Sequence, residues 1–127
     1  MTITLTTDLA IGLVNRPGSL AQACDALGHA GVNLDGACGY VTDGQGSFHV
    51  LVGDPTHARR ALMDAGFEIL EERQVAVVPL VNEPGSAAAL LRRIADAGVN
   101  VDLLYATVDG RMVLGGDDLA ALRATLG

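Results

Sequence analysis

The residues best placed to do chemistry in this chain occur twice. Asn15-Arg16-Pro17-Gly18-Ser19 leads, through a short helical stretch, into Gly31-Val32-Asn33-Leu34-Asp35. Asn82-Glu83-Pro84-Gly85-Ser86 leads at the same spacing into Gly98-Val99-Asn100-Val101-Asp102. Pro84 follows Pro17, and Asn100 follows Asn33, by the same 67 residues. Of the 23 positions from Leu13 to Asp35, 12 are identical to the residue 67 further on, more than shared composition explains. What recurs is a turn, a helix start and a strand start, and not only a core. A tandem duplication that keeps such residues points first to a repeated ligand-binding module.

Catalytic chemistry has no comparable signal. His29, His49 and His57 fall on a helix, a strand and another helix, and Asp96 stands where a repeat of His29 would be. They read as solvated or core histidines rather than bases or ligands. Cys24 and Cys38 form no Cys-x-x-Cys pair. Cys24 shares an apolar helical stripe with Leu20 and Leu27 and reads as a small buried hydrophobe. No phosphate loop is present, and Gly115-Gly116-Asp117-Asp118 reads as a strand end followed by a helix N-cap. The expectation is a non-enzyme with no catalytic residue, no metal and no cofactor. A net charge of −7 argues against nucleic acid. No apolar run reaches the roughly 18 residues of a membrane span, and residues 1 to 7 lack the basic and apolar regions of a signal peptide. A cytoplasmic protein without membrane contact is expected.

The elements that must carry the repeated residues follow from periodicity. Leu9 to Val14 reads as a strand ending at the first Pro-Gly turn, with Pro17 in the first helical turn. A helix to about Ala30 presents Leu20, Ala23, Cys24, Leu27 and Ala30 on one face, and Gly31 stops it. Val32 to Thr42 is a strand, Asp43-Gly44-Gln45-Gly46 a hairpin turn, and Ser47 to Val52 the return strand. A helix opened by Asp54 and Pro55 closes at Gly66, and Phe67 to Glu71 is a fourth strand. The second copy runs as strand 75–81, helix 85–97, strand 99–108, strand 112–114 and helix 117–126. It has no room for a fourth strand. Val75 to Val81 is therefore expected at an edge, where Pro79 is tolerated. Ile3 and Leu5 alternate with threonines, a strand pattern suited to covering that edge, in cis or across a dimer.

In Asn-x-Pro-Gly-Ser, a helix and then Gly-Val-Asn, both copies resemble the ACT domain family, whose βαββαβ modules bind amino acids and regulate metabolic enzymes. Residues 1–72 resemble one module and 73–127 a second that lacks its last strand. The resemblance implies an α/β (α+β) sandwich of two ferredoxin-like modules side by side. It also implies a ligand site made by the loop between strand 1 and helix 1 and by the start of strand 2, usually where modules meet. Carried over residue by residue, that site is Asn15, Arg16, Pro17, Gly18, Ser19, Leu20, Val32, Asn33 and Leu34. In the second copy it is Asn82, Glu83, Pro84, Gly85, Ser86, Ala87, Val99, Asn100 and Val101.

These residue types suit an α-amino acid. A helix N-terminus offers unpaired N–H groups and partial positive charge to a carboxylate. Gly18 and Gly85 let backbone approach a ligand, or serve the turn alone. Asn33 and Asn100 both donate and accept, toward ligand or backbone. Ser19 and Ser86 suit capping as well as ligand contact, and Asp35 and Asp102 read as solvated. Arg16 at the position of Glu83 predicts unequal sites, since arginine reinforces carboxylate binding and glutamate opposes it. The reading is a non-catalytic, regulatory amino-acid-binding protein with an amino-acid ligand, a homodimeric state that hides strand edges, and a metabolic enzyme as possible partner. The alternative is an interaction module or regulatory subunit with no working pocket.

Overall fold

The computed structural model describes residues 2–127, with ten elements in chain order: β1 (Thr4–Val14), α1 (Ser19–His29), β2 (Gly36–Thr42), β3 (Gln45–Val52), α2 (Pro55–Asp64), β4 (Glu68–Pro79), α3 (Ser86–Asp96), β5 (Leu103–Ala106), β6 (Arg111–Gly115) and α4 (Leu119–Leu126). Met1 lies outside the described residues. The chain divides into two compact units, residues 7–73 and residues 74–127 joined by residues up to Thr6.

In the unit of residues 7–73 the strand order is β2-β3-β1-β4. β1 pairs antiparallel with β3, Leu9 opposite Val50 and Leu13 opposite Gly46, and β2 pairs antiparallel with β3. Alternation along β1 puts Leu9, Ile11 and Leu13 on one face, where they join Phe48, Val50 and Val52 of β3 in a single core cluster. Ala23 and Leu27 of α1 and Ala58 and Leu62 of α2 close that cluster. Burying a side chain such as Leu27 is worth about 1.5–3 kcal/mol. The hairpin between β2 and β3 is the two-residue Asp43-Gly44 turn, with positive φ at both positions, as a type I′ turn requires.

The helix face is rotated from the expected one. Ser19, Ala23 and Leu27 are the buried positions of α1, four apart, whereas Leu20 and Cys24 are exposed. One row of i, i+4 residues suffices for a helix this short, and the neighbouring row faces outward.

The strands at the start of each second hairpin are shorter than expected for a related reason. The Val32 N–H bonds to the Leu27 carbonyl at 2.9 Å and the Gly31 N–H to that of Gly28 at 3.0 Å. This is a Schellman ending, and it draws Val32 into the core beside Leu27. α3 ends the same way, Val99 N–H to Ile94 carbonyl at 3.2 Å and Gly98 N–H to Ala95 carbonyl at 2.9 Å. Residues 32–35 and 99–102 are thus loops that close helices, and the strands begin at Gly36 and Leu103.

The second unit contains β4 from Gln74 onward, α3, β5, β6 and α4, in the strand order β1-β4-β6-β5. Its core is Ala76, Val78, Leu90, Ile94, Leu114, Leu122 and Leu126. Ile3 and Leu5 pack against this cluster. The edge expected along residues 75–81 is therefore covered in cis: β1 is the neighbour of β4, and its first residues occupy the place of the fourth strand that residues 74–127 do not encode. Pro79 needs no edge, since it is the last residue of β4, opposite Arg111. The expected break between strands 67–71 and 75–81 is also absent. Glu71-Glu72-Arg73-Gln74 holds no glycine, proline or turn residue, and β4 runs through it unbroken. At the β5–β6 hairpin the Thr107 hydroxyl and the Arg111 guanidinium donate to Asp109, which holds its carboxyl below the usual carboxylate range.

No helix among the described residues is long and apolar enough to cross a membrane. If Leu5 and Ile3 complete the second core, Leu5→Ala costs roughly 1–2 kcal/mol, the lower part of the range for core truncations because Leu5 is half-buried. The loss falls on residues 74–127. Hydrogen exchange followed by mass spectrometry is expected to show faster exchange in α3, α4 and β6 while α1 and β3 keep their protection. Unchanged exchange throughout would contradict this role for residues 2–6.

Candidate functional site

β1 ends at Val14, and the chain reverses direction through Arg16-Pro17-Gly18-Ser19. The Ser19 N–H bonds to the Arg16 carbonyl at 3.3 Å, and Gly18 has φ 90° and ψ −12°. Those are the features of a type II turn, with proline in the second position and a left-handed glycine in the third. Pro17 therefore precedes the helix rather than opening its first turn. Glu83-Pro84-Gly85-Ser86 repeats the geometry, with a 3.2 Å bond from Ser86 to Glu83 and Gly85 at φ 88°, ψ −10°. A Cβ added at Gly18 or Gly85 would meet nothing within 4 Å. The glycine is needed within this chain for its backbone angle, not for close approach.

The turn has an electrostatic result. The N-cap position of α1 is Gly18 and of α3 is Gly85, and neither has a side-chain cap. α2 and α4 differ: Asp54 accepts from the His57 N–H at 3.2 Å, and Asp118 from the Ala121 N–H at 2.9 Å. Among the described residues only the two helices that follow the repeated motif start without a side-chain cap, and past Ser19 and Ser86, whose N–H groups close the turns, their first-turn amides are uncapped. Their N–H groups and the partial positive charge of the helix end are available to an anion.

Two cavities flank the start of α1. One, of about 160 Å³, is lined mainly by apolar groups, among them Leu13, Val14, Leu20 and Val41, together with Asn15 and Arg16. The other, of about 400 Å³, is polar, with Arg16, Ser19, Gln22, Gln45 and Glu68 in its wall. Arg16 borders both. The Gln45 side-chain amide donates to the Leu13 carbonyl at 3.2 Å, which fixes one wall. The arrangement can hold a cationic group near Glu68, an anionic group near Arg16 and the α1 amides, and an apolar chain in the smaller cavity. In the second unit a cavity of about 320 Å³ lies beside Leu80, Val81, Ser86, Leu90 and Arg93. Arg93 donates to the Thr125 carbonyl at 3.1 Å.

The residues carried over from the resemblance fall into two groups within each unit. Asn15, Arg16, Pro17, Gly18, Ser19 and Leu20 gather at the N-terminus of α1. Val32, Asn33 and Leu34 follow its C-terminus, and eleven helical residues place them roughly 16 Å away. Val32 and Leu34 pack against the core, while Asn33 is exposed and donates from its side-chain amide to Asp35 at 3.4 Å. The second copy divides likewise, Asn82, Glu83, Pro84, Gly85, Ser86 and Ala87 before α3, and Val99, Asn100 and Val101 after it. Asn100 is exposed, and a Cβ at Gly116 would sit 2.5 Å from its carbonyl, so the backbone passes too closely there for any other residue.

Sequence reasoning missed one buried polar cluster. Asp8 is fully buried and meets His49 Nδ1 at 2.8 Å, and the other side of the His49 ring stacks on Tyr40 with centroids 5.8 Å apart. Asp8 and Ala10 alternate with Leu9 and Ile11, so this cluster lies on the sheet face opposite α1 and α2. The signal in the sequence was Asp8 placed within an apolar run. Its Tyr40 also lines the smaller cavity beside α1. Among the described residues no grouping of His, Cys, Asp and Glu is suited to a metal.

The chain belongs to the ACT domain pair family, whose model matches residues 1–124. Its fold is similar to a crystal structure of a protein from Bacteroides thetaiotaomicron, with TM-score 0.87 and 24% identity, covering 98% of this chain and 88% of that one. It is similar also to the ligand-free regulatory subunit of aspartate kinase from Thermus thermophilus, with TM-score 0.71, 23% identity and coverage of 99% and 95%. The corresponding subunit from Thermus flavus gives TM-score 0.64 at 23% identity, with the same coverage. No curated protein matches the chain.

The left-handed turn makes a stability prediction. Gly18→Ala forces a side chain into a conformation costing roughly 1–2 kcal/mol. Gly28→Ala, inside α1 with open space around it, gains about 0.5–1 kcal/mol. Urea denaturation of the two variants is expected to move the midpoints in opposite directions. Midpoints that move together would contradict the turn geometry.

Proposed function

We propose that the chain is a non-catalytic regulatory protein that binds a free amino acid at the start of α1, as a module of this family. The observation that carries the reading is the contrast in capping. The helices after the repeated turns start without side-chain caps, whereas α2 and α4 carry aspartate caps. In this reading the α1 amides and Arg16 take the carboxylate, and Glu68 in the adjoining polar cavity takes the ammonium. Binding regulates by favouring one arrangement of modules or partners over another, which requires different affinity for the two.

The site residues at the far end of α1, Asn33 and its neighbours, are too distant to share one ligand with Arg16 in the same unit. We infer that they act on a ligand held by a module of a second copy, in a homodimer. β2 ends the strand order and leaves Tyr40 and Val41 half exposed, a surface that a second copy would cover. A metabolic enzyme as the regulated partner is supported by the family and by the fold shared with aspartate kinase regulatory subunits. The alternative reading, an interaction module without a working pocket, is favoured by the same half-exposed edge.

A thermal-shift panel of the twenty amino acids separates the two readings. A ligand at about 100 times its dissociation constant adds about 2.7 kcal/mol and raises Tm by several degrees at this size. Arg16→Glu is expected to weaken binding at the first site by about tenfold or more, since a charged hydrogen bond is worth roughly 1.5–3 kcal/mol. A flat panel on folded protein would reject amino-acid binding and leave the interaction reading.

A further inference from the structure

We propose that the smaller cavity beside α1 is the side-chain pocket for an aliphatic amino acid, and that Gly39 is the residue that sets its size. This rests on the amino-acid reading above and names the ligand class for that site.

The first observation is where exposed apolar surface lies. Of the nine large hydrophobic residues that are exposed among the described residues, four line this one cavity: Val14, Leu20, Tyr40 and Val41, at 50–65% exposure. Scattered exposed apolar residues are ordinary, but a cluster around one concave site marks a surface made to be covered. Arg16 is the only charged residue in the lining. A ligand that fits turns its anionic end to Arg16 and an uncharged, apolar side chain into this cavity.

The second observation is an unforced glycine. Gly46, across the hairpin, must be glycine, because a Cβ there would lie 2.9 Å from the Leu13 carbonyl. Gly39 is under no such constraint. Its φ is not in the left-handed region, and an added Cβ would make only ordinary contacts, 3.5 Å to Phe48 Cδ1 and 3.8 Å to Leu20 Cδ2. Glycine inside a strand weakens it, and strands favour β-branched residues. A glycine with a cost and no backbone need is accounted for by the space it leaves beneath Leu20. In the second unit Ala106 stands 67 residues after Gly39, and Ala87 stands 67 after Leu20, so that unit has neither the bare floor nor the covering leucine.

The test is calorimetric titration of the full chain with leucine, valine, alanine, glycine, aspartate and lysine. Leucine or valine is expected to bind at least about tenfold more tightly than glycine, as the burial of extra methylenes in an apolar pocket implies. Gly39→Val fills the floor and is expected to weaken leucine binding about tenfold or more, with Gly39→Ala intermediate. The unliganded Tm of both variants stays level or rises, which separates a filled pocket from a damaged fold. Ala106→Val leaves leucine binding unchanged. Leucine bound equally by the wild type and both Gly39 variants would overturn this proposal while leaving amino-acid binding intact. Aspartate or lysine bound more tightly than leucine would do the same. No binding by the wild type to any of the six, together with a flat panel of all twenty, would overturn both.

Discussion

A single turn constrains both the fold and the chemistry of each unit. A strand that must hand over to a helix packed on its own sheet needs a tight reversal, and Arg16-Pro17-Gly18-Ser19 supplies one whose third residue is left-handed. That angle demands glycine, and glycine has no side chain with which to cap the helix that follows. Fold and site are thus two results of one choice. The residue that aims α1 over β1 and β3 also leaves the Leu20 and Ala21 amides of α1 without a side-chain cap, the Ser19 N–H alone being taken up in closing the turn. Where the chain needs a helix start and nothing more, at α2 and α4, it uses aspartate caps instead.

The second constraint is the closing of two cores with strands for fewer than two complete modules. Residues 74–127 encode three strands and two helices, and the missing strand comes from the start of the chain. Ile3 and Leu5 belong to one core while Leu9, Ile11 and Leu13, further along the same strand, belong to the other. β4 is shared in the same way: Ile69 packs against the first core, and Ala76 and Val78 lie in the second. Two long strands each serve both units. The stability of the second unit therefore depends on residues about seventy positions earlier in the chain.

Much of this was legible in the residues because the duplication supplied its own control. Any feature present at a position and again 67 later had two chances to be seen, and the turns, the helix stops at Gly31 and Gly98 and the absent fourth strand were read that way. What the sequence hid was of two kinds. The joined strand Glu68–Pro79 looks like two in the sequence, because a change of core partner along a strand leaves no local mark. The rows of α1 are ambiguous in the sequence because Leu20 and Cys24 are as apolar as residues that face a core, yet they lie on the outward row. For the site, the residues before α1 and α3 were identified by their types. Their separation from Asn33 and Asn100 follows from helix length, and Gly39 became visible only through the space around it.

The central claim is that a ligand carboxylate sits on the first-turn amides of α1. An amide-resolved NMR titration of the isotope-labelled chain with leucine tests it directly. The account predicts that the Leu20 and Ala21 amides and the Arg16 guanidinium shift together with one saturating affinity, while the aspartate-capped first turns of α2 and α4 stay still. Saturable shifts confined to α2, α4 or the β5–β6 hairpin, with α1 unmoved, would contradict it.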